Sequence, residues 1–572
     1  MKKLIYLIAI ALLVPVLSGC DDFLDTTSYT TKDTSSFPAN EEDMNMMLNG
    51  VYVMLNVSHA QAINTWIFVS EVASDDRLGG GGLNDRHGQS IANLMTEQPS
   101  GFNTFWANRY TGISRANQAV AALELLDDSP LKNQKVGEAK FLRAFWFFEL
   151  VQMFGDIPLP AQVPANVKDV EVPPAQAPQK DVFKAIATDL WSAYTTMPAD
   201  KAGVLRSGTV TKWAAGGLLA RVFLFYTGFY GESSLPMNDG EITSAQVIAA
   251  LEDVINNSGH ELLPDFRSLW PYTNKATKPD YPFAADAPDW LEGSANREVM
   301  FSIKMNPSAS GWGDATTTGY SNSIGLFFAP RNPRDQATIF PMGAGWGMGP
   351  VNSRLWDEWP ASDPRRVASI YNQELEVNGE YEWGADNQVD ETGLWQKKIV
   401  TTSAYSPTGE FWSTFWRSEE YGSYPSNDIQ LGSGTDIILI RFADILLMHS
   451  ELKKDAAGIN RVRARVGLAP VVGYSEAALR AERRFELAFE GLRWGDIRRW
   501  GIAADALQAT YGIPIRNLKE PTTFQPHGPG LKARYEATKG FFNIPLTQID
   551  LSGGTLKQNA GWGGTDANYL GY

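Results

Sequence analysis

Cysteine is almost absent from this chain: its 572 residues include one, Cys20. Disulfides, thiolate metal centres and cysteine catalysis therefore have nothing to work with once that residue is otherwise engaged. Histidine is nearly as scarce. The five present are scattered, give no HExxH pair, and accompany no Gly-x-Ser-x-Gly elbow. Long apolar runs are missing as well. The one that exists, Leu4 to Val16, is broken by Pro15 and falls short of the roughly 20 residues that span a bilayer. Basic residues are outnumbered, 49 against 65 acidic, for a net charge of −16. Such a surface repels phosphate backbones, so nucleic acid is excluded as a partner. Stability must come from packing, and the 18 tryptophans supply much of the bulk for it.

What is present begins at the N-terminus. Lys2 and Lys3 precede the apolar run, and Leu17-Ser18-Gly19-Cys20 follows it. This pattern reads as a removable signal, residues 1–19. The small residues before Cys20 suit the processing enzyme that leaves a lipid-bearing cysteine, so Cys20 is the expected lipid anchor. Asp21 and Asp22 come next; an acidic pair there resembles a surface-export signal in some bacterial lineages and an inner-membrane retention signal in others. Residues 20–40 are rich in Thr, Ser and Asp and read as a lipidated tether.

From Glu41 the apolar period becomes helical. Met44, Met47, Leu48, Val51 and Leu55 follow the i, i+3, i+4 pattern. Further helices are predicted at 106–126, 134–154, 181–197, 212–226 and 241–257. The segment 134–154 is apolar nearly all round and reads as a helix buried in a helical stack, ended by Gly155 and Pro158. Residues 41–257 thus form a helical-repeat scaffold. Between 258 and 435 the helical period disappears and Gly, Pro, Asn, Trp and Tyr take over, which marks a loop-rich ligand-binding segment. Helices return at 436–453 and 474–491, within a helical pair spanning 436–505, and 506–572 is a loop-rich closure. The fold class is mainly α: tetratricopeptide-like helical pairs with a large loop-rich insertion, though no clean 34-residue period is present.

Several segments resemble the SusD/RagB family of outer-membrane nutrient-binding lipoproteins. They are Gly137-Glu-Ala-Lys-Phe-Leu-Arg-Ala-Phe-Trp-Phe-Phe-Glu-Leu-Val-Gln-Met-Phe-Gly-Asp-Ile-Pro158, Ile440-Arg-Phe-Ala-Asp-Ile-Leu-Leu-Met448, Ile459-Asn-Arg-Val-Arg-Ala-Arg-Val-Gly467, Glu482-Arg-Arg-Phe-Glu-Leu-Ala-Phe-Glu-Gly-Leu-Arg-Trp-Gly-Asp-Ile-Arg-Arg-Trp500 and Ile544-Pro-Leu-Thr-Gln-Ile549 with Gln558-Asn-Ala-Gly-Trp562. Cys20-Asp-Asp-Phe-Leu-Asp25 is similar too. Ala560 and His449 depart from the usual pattern, where proline and an aromatic are common. The resemblance implies a cell-surface lipoprotein that captures glycans, less often peptides, and sits over a SusC-like TonB-dependent transporter. It implies a binding protein and not an enzyme.

The charged run from Glu482 to Arg499 reads as one helix whose Glu482, Glu486 and Glu490 form a stripe beside Arg483, Arg484 and Arg493. An ion-pair network that orients helices is the expected role. The run Ser74-Asp-Asp-Arg-Leu-Gly-Gly-Gly-Gly-Leu-Asn-Asp-Arg-His87 holds four glycines that let a backbone bend and approach a ligand. Asp75, Asp76, Asn84 and Asp85 there offer oxygens to sugar hydroxyls, or to a structural calcium, although the spacing matches no EF-hand; no cofactor is otherwise indicated. The run has no Lys-Ser/Thr after its glycines and so is not a P-loop.

Stacking partners for a sugar's apolar face are sought among aromatics flanked by glycines. Trp312 lies in Ser310-Gly-Trp-Gly-Asp314 and Trp346 in Gly343-Ala-Gly-Trp-Gly-Met-Gly349. Tyr320, Trp290 and Trp270 are further candidates, with Arg331 or Arg334 as bidentate donors. Trp146, Trp191, Trp213 and Trp494 are expected in the core. Peptide capture remains the competing ligand class. A glycoside hydrolase, needing only two carboxylates about 5–9 Å apart, is the alternative from another class.

Overall fold

The computed structural model describes residues 37–160, 175–200, 208–291, 293–307, 319–405, 408–414 and 433–572. The signal, Cys20, most of the tether, and Trp312 lie outside them. By their contacts, the described residues up to Met47 belong to one unit and those from Leu48 to a second; the second is the body described below.

Helices supply its frame. Of the stripe expected from the sequence, α1 (Glu41–His59) buries Leu48, Val51 and Leu55, while Met44 and Met47 are half-buried. Two short helices follow, α2 (Trp66–Val72) and α3 (Arg86–Ala92). Then come α4 (Asn103–Glu124), α5 (Pro130–Phe154), α6 (Gln179–Thr196), α7 (Lys212–Tyr230) and α8 (Ser244–Asn257). Each of these five packs on the next, α4 on α5 and so on to α8, as helical pairs do. Their starts are written in the sequence. Ser129 accepts from Lys132 N at 3.1 Å ahead of Pro130, and Thr243 and Gln246 form a reciprocal capping box. Gly155, at φ +70°, ends α5. α5 is buried along most of its length, including Trp146, Phe147 and Leu150, because it has neighbours on several sides. Gly112 on α4 lets it approach closely, since a Cβ there would lie 2.8 Å from the Trp146 ring.

The described residues of the loop-rich segment form only short pieces, among them α9 (Ile324–Phe328) and strand Val299–Ile303. Helices return as α10 (Phe442–Lys453), α11 (Ala457–Arg465), α12 (Glu476–Glu486) and α13 (Arg493–Arg499). α10 packs on α8, α11 and α12, and α13 on α7, so the returning helices close onto the first set. Strands are few: among the described residues there are seven two-stranded antiparallel ladders.

Three expectations change. The helix predicted from 436 starts only at Phe442, because Ile437–Arg441 is a strand paired with Val299–Ile303; its β-branched isoleucines fit a half-buried ladder. The charged run 482–499 is two helices, broken where Phe489 (φ +68°) and Gly491 (φ +75°) turn the chain. Glu490 therefore lies beyond the end of α12, not on its stripe. Trp191 is half-exposed, whereas Trp146, Trp213 and Trp494 are core.

The ion-pair network is present and buried. Glu486 meets Arg365 at 2.9 Å, Arg441 at 2.6 Å and also Arg465. Arg441 continues to Glu298 at 2.8 Å and Glu490 at 2.6 Å, and Lys398 joins Glu490 at 2.7 Å. Arg365 pairs with Asp363 and Glu482. Arg483 meets Asp444 and Asp496. Burial pushes the Glu486 carboxyl up, but the surrounding cations outweigh it and hold it well below the usual range. Asp363, Arg365 and Lys398 come from the loop-rich segment, so these contacts tie the loops to the helices.

Candidate functional site: a glycine-built loop pair under Trp346

The site begins with a buried arginine. Arg77 donates to Glu71 Oε2 (2.8 Å), to the Gly349 carbonyl (2.6 Å) and to Gln396 Oε1 (2.6 Å). Its guanidinium also lies over Phe328 and Phe489. This pins the glycine run 79–82 against the second glycine run, 343–349. Backbone bonds then join them: Gly81 N to the Gly347 carbonyl at 2.7 Å, Gly349 N to the Gly79 carbonyl at 2.9 Å, and Leu78 N to the Pro350 carbonyl at 3.0 Å. A Cβ on Gly80 (φ +62°) would sit 2.3 Å from Pro350 Cδ and 2.5 Å from the Gly347 oxygen. Only glycine fits there. All four glycines of 79–82 are buried, so they serve loop-to-loop packing and not the approach of a ligand.

Trp346 emerges from this base. Its amide donates to the Leu326 carbonyl in α9 (2.8 Å), and its half-buried ring leans on Phe327, with centroids 4.6 Å apart. Arg331 fixes the surroundings. Its Nη1 donates to Asp85 Oδ2 and to the Trp346 carbonyl, both at 2.7 Å, and its Nε donates to the Asp386 carbonyl at 3.1 Å. Asp85 Oδ2 also accepts from Gly82 N at 2.7 Å. One guanidinium thus holds three separate loops. Asn84, Asp386 and Asn387 stand exposed on those loops, the last two with positive φ of 45° and 62°. Gln388 reaches back to the Gly347 carbonyl at 2.7 Å. Arg331 thus gathers, beside the Trp346 backbone, loops that carry exposed carboxylate and amide groups. Such a surface can stack on an apolar ring face while bonding its hydroxyls.

Comparison with known proteins now decides the family. A model described as the SusD family matches residues 271–562, more than half of the chain. The chain belongs to the SusD family. A second model, described as starch-binding associating with outer membrane, matches residues 22–224. SusD-like protein P2 of Formosa agariphila is 25% identical over 531 residues, covering 87% of this chain and 91% of that one. Among solved structures, a laminarin binding SusD-like protein aligns with a TM-score of 0.68 at 25% identity, covering 91% of this chain and 100% of the other. Surface glycan-binding protein A from Bacteroides fluxus aligns with a TM-score of 0.69 at 23% identity over 92% and 100% of the two chains, a likeness of fold. The helical architecture expected from the sequence is the one this SusD-family chain has.

Of the residues singled out from sequence, Trp346, Arg331, Asp85 and Asn84 come together. Others do not. Asp75 is buried and pairs with Arg493 at 2.7 and 2.8 Å, and Asp76 pairs with Arg484 at 2.7 Å. Burial pushes the Asp75 carboxyl up, but Arg493 and Arg484 outweigh it and hold it far below the usual range. Both aspartates anchor the loop to α12 and α13 and are withdrawn as ligand contacts. The four oxygens considered for calcium therefore disperse, two to helix arginines and Asp85 to Arg331.

Tyr320 is 6% exposed and Trp270 1%, both core. Trp290 is half-buried and lines a separate pocket with Trp270, Thr209, Lys304 and Asp436. Arg334 is exposed and pairs with Glu382 at 3.2 Å. Arg331 acts as a clamp, not as a free bidentate donor. Sequence reasoning missed Asp386, Asn387 and Gln388; the turn-forming run Gly384-Ala-Asp-Asn387 was the available signal.

Proposed function

We propose that this SusD-family chain captures a glycan at the cell surface on the Trp346 face and passes it to a TonB-dependent transporter in the outer membrane, to which it is tethered by lipid on Cys20. The observation that carries the reading is the half-buried Trp346 ring set among polar loops by Arg331. The family supports it, and the laminarin named for one structural relative makes β-linked glucan the first ligand class to try. The Asp85 carboxylate of this face is committed to structure, held by Arg331 and the Gly82 amide, and so is not offered as a hydrolytic group.

The test is calorimetry of the chain lacking residues 1–20 against a polysaccharide panel including laminarin and starch, with product analysis alongside. Saturable binding of one glycan without product is the expected result. Release of sugars would replace the binding role with a hydrolase. Absence of any glycan binding, with binding of peptides, would move the ligand class to peptide.

A further inference from the structure

The loop pair under Trp346 is held from a third side. Residues 567–569 run beside Thr96, with Thr96 N donating to the Ala567 carbonyl at 2.8 Å and Tyr569 N to the Thr96 carbonyl at 2.9 Å. This places two tyrosines behind the side chains that hold the glycine run. Tyr569, 3% exposed, donates its hydroxyl to Gln89 Oε1 at 2.9 Å. The Gln89 amide nitrogen in turn donates to the carbonyls of Gly80 (3.1 Å) and Gly82 (2.9 Å). Tyr572 donates to Asp390 Oδ1, and the other oxygen of Asp390 accepts from Gly80 N at 3.2 Å. The His527 ring lies 4.9 Å from both tyrosine rings and holds them side by side.

Both polar groups of Gly80 and the carbonyl of Gly82 are therefore fixed by two side chains, Gln89 and Asp390, and a tyrosine orients each of these. An amide that gives both N–H donors to backbone carbonyls has its flip decided by what its oxygen receives. Tyr569 supplies that decision. Gly82 is next in line: its amide meets Asp85, and a Cβ there would touch Arg331 Nη2 at 2.8 Å.

We propose that Tyr569 and Tyr572 form a strap that sets the glycine run 79–82, and through Asp85 and Arg331 the Trp346 face, making them positioning residues for the ligand. The role at the face rests on the glycan reading above; the role at the loop does not.

The experiment compares the wild-type chain with the Tyr569→Phe/Tyr572→Phe double variant, which keeps both rings on His527 and removes only the hydroxyls. Hydrogen exchange is followed at residues 79–89, with thermal unfolding and laminarihexaose affinity measured in parallel. Each lost hydrogen bond is expected to be worth about a fivefold change. Exchange at Gly80–Gly82 should rise at least that much while α5 and α7 are unchanged, and affinity should fall severalfold with little change in unfolding temperature. Single restoration of Tyr569 should recover most of the affinity. Unchanged exchange in the loop overturns the strap whatever the ligand. Faster exchange with undiminished affinity overturns its role at the face. A wild-type chain that binds no panel glycan overturns the glycan reading, and the exchange data still report on the loop.

Discussion

Arg331 and Asp85, 246 residues apart in the chain, meet at 2.7 Å, and the same guanidinium nitrogen also holds the Trp346 carbonyl. The pair is what gives the Trp346 face its shape.

Arg331→Lys keeps the charge but cannot reach Asp85, Trp346 and Asp386 together. It should cost about 1–2 kcal/mol of stability and weaken glycan binding more than Asn84→Ala does. Urea unfolding and calorimetry on both variants check this; equal behaviour of the two would deny Arg331 its clamping role.

Trp346→Ala removes the stacking ring while leaving the backbone bond to Leu326. Affinity should drop by roughly three- to tenfold, the worth of one aromatic contact, with the unfolding temperature changed by only a few degrees. An unaltered isotherm would take the indole out of the site.

Gly80→Ala puts a methyl 2.3 Å from Pro350 and 2.5 Å from a carbonyl oxygen at positive φ. Destabilisation of about 2 kcal/mol or more is expected, whereas Gly50→Ala, with open space around it, should be neutral or mildly stabilising. Denaturant midpoints distinguish them.

Glu486→Gln leaves Arg365, Arg441 and Arg465 buried around a neutral amide. Breaking a buried pair in this way costs about 3–5 kcal/mol. Recovery of soluble, cooperatively folding protein near wild-type stability would show that the neighbouring carboxylates make good the loss.

Glu391 gives a pH signature. Burial pushes its carboxyl up to about 7, although it accepts from Gly384 N at 2.6 Å and Tyr381 OH at 3.0 Å. The folded chain keeps this proton longer than the unfolded one, whose ordinary value is 4.5. The contribution to stability is therefore full below pH 4.5 and is lost as pH rises toward 7. Glu391→Gln should remove that part of the slope, on the order of 1–3 kcal/mol, in unfolding free energies compared at pH 5 and pH 8.

Much of the helical frame was legible because its signals are local. The stripe Leu48, Val51, Leu55 declares itself within two turns; the cap of Ser129 before Pro130, ahead of the predicted start at 134, is as local but went unread. The break between α12 and α13 was hidden because charge spacing continues across Gly491 while the backbone does not. The glycine runs misled for a different reason. Two flexible-looking segments 270 residues apart exist to pack on each other, and neither shows its partner. Asp75 and Asp76 suggested oxygen ligands for the same reason, since their arginines lie more than 400 residues away. Trp346 was singled out because a large aromatic among glycines has no bulky neighbours in its own segment, and in the fold its ring packs on Phe327 from another.

The buried cations and carboxylates that join Asp363, Arg365 and Lys398 to α12 and to Arg441 have a bearing on engineering. A chimera that imports the 258–435 region from a relative with another ligand would inherit its half of each pair without the other. Grafting ligand preference would then require transplanting Glu482, Glu486, Glu490 and Arg441 as matched keys, or confining the exchange to the outer loops at 331–347 and 384–388.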